Sequence, residues 1–222
     1  MIIKVCGMRD AENIREVERL GIDMMGFICW ERSPRYVAEP PAYLPKCPRV
    51  GVFVDAPIDF IRQQAEAFGF SHIQLHGSES PAFCQEVRER TGCNVIKAKS
   101  IQTPSNSPLK GEDKSLGKEN SLPLREGWGG SASLLLFDTQ CPTAGGSGRK
   151  FSWDVLQGYR GELPFLLSGG IGPEDVGPLR QFRHPKWLGI DINSRFEVEP
   201  GIKDVAAISS FVASIRGCNY EL

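Results

Sequence analysis

Residues 49–77 read RVGVFVDAPIDFIRQQAEAFGFSHIQLHG, and this stretch decides the fold class. RVGVFVD is a short apolar run rich in β-branched residues, bounded by an aspartate, which predicts a strand. APIDFIRQQAEAFG is amphipathic with helical spacing. Pro57 falls near its first turn, where a missing N–H costs little, and Gly69 stands where a helix closes. HIQLHG follows as a second strand, with Gln74 and His76 on one face and Ile73 and Leu75 on the other. A strand, a helix and a second strand in so short a span predict a right-handed crossover between parallel strands.

The same unit recurs on both sides. Toward the N-terminus, IIKVCG is a strand and DAENIREVERLG a helix ended by Gly21. MMGFICW is the second strand. SPRYVAEPPAYLPKCP after it is irregular and proline-rich, with room for one short helix. Toward the C-terminus, SPAFCQEVRERTG is a helix with Ser80 as its N-cap, and NVIKAKSI is the fifth strand. SLLLFDTQ, PFLLSGG and WLGIDIN are strands six to eight. SWDVLQGYRG, GPEDVGPLRQF and VAAISSFVASIRG are the remaining helices. Eight strands, nearly all followed by a helix, in 222 residues predict a single-domain (β/α)8 barrel over 1–222. A doubly wound sheet is the alternative. It favours fewer strands and a Gly-rich fingerprint after the first, and VCGMRD is not GxGxxG.

Strand 5 lacks its helix. In its place residues 103–131, TPSNSPLKGEDKSLGKENSLPLREGWGGS, are rich in Ser, Gly, Pro and charge. Such composition buries too little to offset its ordering entropy, so a mobile polar insertion is expected there. A short docking peptide around Leu122–Trp128 is the competing reading.

Composition narrows the function. The formal net charge is −1, and no face-long basic run occurs, which disfavours nucleic acid and anionic membrane as partners. No apolar run approaches the roughly 20 residues that span a bilayer. MIIK leads straight into the first strand without the apolar core of a signal peptide, so a cytoplasmic protein is expected. Seven cysteines, Cys6, Cys29, Cys47, Cys84, Cys93, Cys141 and Cys218, include no CxxC pair and no metal-ligand spacing. Reduced thiols fit better than disulfides or zinc, and each cysteine is by default a packing residue.

A barrel of this kind places its active site at the C-terminal ends of the strands. Cys6 ends strand 1, His76 strand 4, Asp138 strand 6, and Asp191 and Asn193 strand 8, while ERSPRYV after strand 2 supplies Arg35. Lys4 shares a face with Cys6, and Asp138 one with Leu134 and Leu136. Polar groups on the inward face of a barrel are costly unless used or paired. Gly169 and Gly170 follow strand 7, and Asn193 and Ser194 follow strand 8. Barrels often bind phosphate there through backbone N–H groups. The same glycines can also simply reverse the chain. Gly145, Gly146 and Gly148 form a loop after strand 6 that closes over a ligand or only turns.

KVCGMR, SPRYV, QLHG, LLFDT with GGSGRKFSW, LSGGI and EPGIKD, in that order, resemble the phosphoribosylanthranilate isomerases of tryptophan biosynthesis. The likeness spans nearly the whole chain outside the insertion. It implies a (β/α)8 barrel without metal or other cofactor, with little or no helix after strand 5. It further implies a small phosphoribosyl substrate, no nucleic-acid or membrane partner, and a monomer or homodimer. The implied reaction is the Amadori rearrangement of N-(5-phosphoribosyl)anthranilate to 1-(2-carboxyphenylamino)-1-deoxyribulose 5-phosphate. An acid protonates the ring oxygen and a base removes the C2 proton. By resemblance Asp138 is that acid and Cys6 that base. Arg35 would grip the anthranilate carboxylate, His76 would support the pocket, and Asp191 would lie near the sugar. A thiolate at Cys6 calls for a nearby cation, and Lys4 is the nearest candidate. The family commonly carries an SSGVE-like run after strand 8, whereas this chain has NSRFE, with Arg195 in place of the glycine. Neighbouring phosphoribosyl-processing barrels use two carboxylates, or Lys and Glu, which Cys6 with Asp138 does not match. A phosphosugar-binding barrel without catalysis is the alternative of a different class, and a thiol redox protein lacks its CxxC.

Overall fold

The computed structural model describes residues 1–101, 130–138 and 153–217. Eight parallel strands close into one barrel in sequence order: β1 (Ile2–Cys6), β2 (Met24–Ile28), β3 (Arg49–Phe53), β4 (His72–Leu75), β5 (Asn94–Ser100), β6 (Leu134–Asp138), β7 (Phe165–Ser168) and β8 (Trp187–Ile192). The ring is sealed by β1 on β8, with Lys4 opposite Asp191. Around it lie α1 (Ala11–Arg19), α2 (Ile58–Phe68), α3 (Pro81–Thr91), α4 (Val176–Gln181) and α5 (Val205–Arg216). A two-stranded antiparallel hairpin, β9 (Glu197–Glu199) and β10 (Ile202–Lys203), stands between β8 and α5.

Strand alternation produces two apolar layers. Met24, Val50, Ile96, Ala98, Leu134, Leu136 and Leu166 fill the interior of the ring. The opposite faces of the same strands, among them Ile3, Val5, Phe27, Ile73, Leu75, Phe137 and Leu167, pack outward with helix residues such as Ile14, Val17, Ile61, Leu179 and Phe211. The helix starts follow local chemistry. Asp10 accepts from the N–H groups of Glu12 and Asn13 at 3.0 and 2.8 Å, and Ser80 accepts from Phe83 at 3.2 Å.

Three helical expectations change. Between β2 and β3 no helix forms, because Pro34, Pro40, Pro41, Pro45 and Pro48 remove the donors that one would need. The segment is tied down instead by Glu18 of α1, which accepts from the Tyr43 hydroxyl and the Lys46 N–H, each at 2.5 Å. The helix expected around SWDVLQG is a 3-10 turn, Trp153–Gly158. The one expected over GPEDVGPLRQF splits into a 3-10 turn, Pro173–Asp175, and α4, with Gly177 and Pro178 weakening its start. Residues 103–129 of the expected insertion lie outside the described residues. So do Gly145, Gly146, Gly148, Cys141 and Cys218. Among the described residues no helix is long and apolar enough to cross a membrane.

Candidate active site

β1 delivers Cys6 to the C-terminal rim of the barrel, beside Gly26 of β2. A side chain at Gly26 would place its Cβ 2.7 Å from the Cys6 Sγ, so the thiol occupies space that glycine alone leaves open. The chain then turns at Gly7, whose φ of 79° lies in the left-handed region. A Cβ on Gly7 would meet Arg35 Cδ at 2.7 Å and Asn193 Oδ1 at 2.8 Å. Gly7 therefore lets the loops after β2 and β8 close onto the end of β1.

Inside the ring, one layer toward its N-terminal end, Lys4 is fully buried and places its Nζ 2.9 Å from Asp191 Oδ1. Ser168 at the end of β7 donates to the other Asp191 oxygen at 3.4 Å. Asp191 thus anchors Lys4 and Ser168 beneath the rim. Burial pushes the Cys6 thiol up. The Lys4 ammonium pulls it down, Asp191 pushes it up and Lys203 pulls it down, and the balance stays above the ordinary thiol range. Burial works against the Lys4 charge, but Asp191 and Cys6 more than offset it, and Lys4 titrates above its usual value.

Across the rim, His76 bridges β4 and β6. Its Nε2 lies 3.2 Å from Asp138 Oδ2, and its Nδ1 lies 3.0 Å from Gln74 Nε2. The amide nitrogen of Gln74 can only donate, so in this arrangement Nδ1 accepts and Nε2 carries the proton toward Asp138. Asp138 is buried on the inward face of β6.

The loop after β8 holds two groups that sequence reasoning missed. Glu197 binds Arg35 through Nε at 2.8 and 3.0 Å and through Nη2 at 2.5 Å. Lys203, fully buried, donates to Glu197 Oε1 at 2.6 Å and to Asn193 Oδ1 at 2.7 Å. Burial pushes the Glu197 carboxyl up, but its bonds to Arg35 and Lys203 outweigh that and hold it below the usual range. The quoted run EPGIKD contains Lys203, yet nothing in it announced the hairpin that folds Lys203 back under Glu197. The carboxamide oxygen of Asn193 accepts from Lys203, and its backbone carbonyl accepts from the Phe196 N–H at 3.1 Å. Gly169 and Gly170 have φ of 90° and 69°, and nothing lies within 4 Å of a Cβ built on Gly170. Ser194 is exposed at the start of a 3-10 turn, Ser194–Phe196. Arg195 pairs with Glu174 at 2.7 Å and so links the loops after β7 and β8.

The structure thus groups Cys6, Arg35, Asn193, Lys4 and Asp191 on one side of the rim. It pairs His76 with Asp138 on another and leaves open space beside Gly170 after β7. Among the described residues no cluster of three His, Cys, Asp or Glu could hold a metal ion.

Known proteins resemble this chain in sequence and fold. The family model described as N-(5'phosphoribosyl)anthranilate (PRA) isomerase matches residues 3–214. The N-(5'-phosphoribosyl)anthranilate isomerase of Phocaeicola vulgatus is 45% identical over 97% of this chain and 98% of its own length. Among solved structures, TrpF from Jonesia denitrificans superposes with a TM-score of 0.74 at 27% identity, covering all of both chains. Monomers of the dimeric phosphoribosylanthranilate isomerase from Thermotoga maritima superpose with a TM-score of 0.70 at 26% identity, over 98% of this chain and 100% of that one.

Proposed function

The chain belongs to the N-(5'-phosphoribosyl)anthranilate isomerase family, and from that premise we propose how its residues carry the reaction. The enzyme converts N-(5-phosphoribosyl)anthranilate, an aminoaldose, into 1-(2-carboxyphenylamino)-1-deoxyribulose 5-phosphate, an aminoketose. Only protons and electron pairs move within one molecule.

Asp138 acts as the general acid. Its proton goes to the ring oxygen as the C1–O bond breaks, and the nitrogen lone pair forms the C1=N iminium. The hydrogen bond that His76 Nε2–H donates to Asp138 Oδ2 holds the carboxyl in place. Cys6, as thiolate, takes the C2 proton. The C2–H electron pair becomes a C1=C2 double bond, and the iminium π pair returns to nitrogen. The resulting enolamine takes a proton at C1 from the Cys6 thiol, and its C2 hydroxyl gives its proton to the Asp138 carboxylate as the ketone forms, which returns both groups to their starting states. General acid–base steps of this kind are worth roughly 10²–10⁴ each.

Arg35 engages the anthranilate carboxylate. Gly169, Gly170, Ser194 and the backbone of Asn193 hold the phosphate, supported by the open space beside Gly170. Asp191 acts from beneath the rim through Lys4. For assembly, a monomer or homodimer is proposed, and the dimeric T. maritima relative supports the second form.

The observation that carries these roles is that Cys6 and Asp138 both end strands on the inward face of one closed ring. The test is to mix the purified protein with freshly made phosphoribosylanthranilate and follow the loss of its fluorescence. Turnover is expected. A folded protein that gives none overturns the assignment.

A further inference from the structure

Arg35 does not reach into the site alone. A guanidinium offers five N–H donors around a plane. Glu197 occupies the Nε side of that plane, taking Nε and one end of Nη2. Among the described residues Nη1 has no hydrogen-bond partner, so the edge formed by Nη1 and Nη2 keeps a fork that fits a second carboxylate.

Glu197 is itself held. Its Oε1 accepts from Lys203 Nζ at 2.6 Å and from the Gly201 N–H at 3.2 Å, and its side chain is only 5% exposed. The backbone of Lys203 is pinned in turn. Asn13 of α1 accepts from its N–H at 2.8 Å and donates to its carbonyl at 2.9 Å. A continuous chain of buried polar contacts therefore runs from α1 through Lys203 and Glu197 to Arg35, while Gly7 lies flat against the Arg35 stem.

We propose that Glu197, clamped by Lys203, is a positioning residue that turns the Nη1–Nη2 edge of Arg35 toward the carboxylate of the substrate. This rests on the assignment of Arg35 given above. The physical gain is orientational. A loop arginine free to sample its rotamers loses that freedom on binding. Here the loss is taken on folding, and the remaining edge is aimed before substrate arrives. The pair also selects among ligands. One carboxylate already balances one of the two cations, Arg35 and Lys203, so a single further anionic group is favoured at this place.

The experiment measures, by calorimetry, the affinity for the reaction product and for its analogue built on aniline, which lacks the carboxylate. The ratio of the two affinities isolates the carboxylate contact. Glu197→Gln is expected to lower that ratio about tenfold while leaving the aniline analogue within twofold of wild type. Arg35→Leu is expected to bring the ratio close to one. Glu197→Asp, which keeps the charge on a shorter stem, should fall between wild type and Glu197→Gln and serves if Glu197→Gln is too unstable to purify. An unchanged ratio in Glu197→Gln, with the ratio lost in Arg35→Leu, overturns the proposal and leaves Arg35 in place. Equal weakening of both ligands in Glu197→Gln also overturns it, because a merely structural role does that. An unchanged ratio in Arg35→Leu overturns the assignment of Arg35 itself.

Discussion

The Nζ of Lys4 lies 2.9 Å from Asp191 Oδ1 inside the barrel, one layer below Cys6 on the same face of β1. The two charges act on the thiol in opposite senses, the ammonium pulling its titration down and the carboxylate pushing it up. Asp191→Asn should therefore move the acidic limb of the kcat/KM profile to lower pH, since thiolate becomes easier to form. Lys4→Met should move it to higher pH. Shifts of the same sign in both variants would exclude the pair as the control on Cys6.

Removing either proton-transfer group should leave a folded protein that hardly turns over. Cys6→Ala and Asp138→Asn are each expected to lose at least about a hundredfold in kcat, with the circular dichroism spectrum preserved. Near-normal turnover in either would show that the acid and base are assigned wrongly.

Gly26 makes room for the thiol. In Gly26→Ala the new Cβ would sit 2.7 Å from the Cys6 Sγ and 3.1 Å from the Cys6 Cα. The second of these is backbone, so the strand end must shift. We expect a stability loss of about 1–3 kcal/mol together with a fall in kcat. Wild-type kcat in this variant would show that the position of Cys6 tolerates the shift.

A further buried ion pair lies outside the ring. Lys97 Nζ meets Glu79 Oε2 at 2.6 Å, with the two side chains 2% and 3% exposed, and also donates to the carbonyls of Gly77 and Leu75. Glu79→Ala strands the Lys97 charge among those carbonyls and should cost about 3–5 kcal/mol, or roughly 10 °C in Tm for a chain of this size. Replacing both residues with leucine should cost less. A Tm within 2 °C of wild type (about 1 kcal/mol) for Glu79→Ala would refute the cost assigned here.

The buried thiols predict a weakness in alkali. Burial pushes Cys29 up to about 12 and Cys84 up to about 11, from 9.0 for an exposed thiol. Between pH 9 and those values the unfolded chain releases thiol protons that the folded chain keeps, so stability must fall as pH rises. Tm should decline above pH 9, and less steeply in Cys29→Ala. An equal slope in that variant would place the alkaline weakness elsewhere.

The barrel was legible in the order of residues because its two local periods are short-range. Alternation along HIQLH and helical spacing along IDFIRQQAEAF come from neighbours in the chain, and eight such units leave few topologies. Cys6, Asp138, His76 and Asp191 could be picked out for the same reason, as polar residues at the ends of apolar strands. The short helix expected among the prolines before β3 failed because those prolines remove its donors, and the tertiary contact to Glu18 holds the segment in its place. Glu197 and Lys203 were passed over for a related reason. Their partners, Arg35 and Asn13, lie 162 and 190 residues away in the chain.

By itself, then, the sequence determined the strand–helix repeat, the closed ring and which strand ends carry reactive groups, because these follow from patterns a few residues long. Only the tertiary structure decided which charges neutralise one another. Hydrogen-bond and ion-pair energies depend on separations of a few ångströms. In a barrel those separations are set by how the ring closes, which brings Lys4 to Asp191 and Arg35 to Glu197 from opposite ends of the chain.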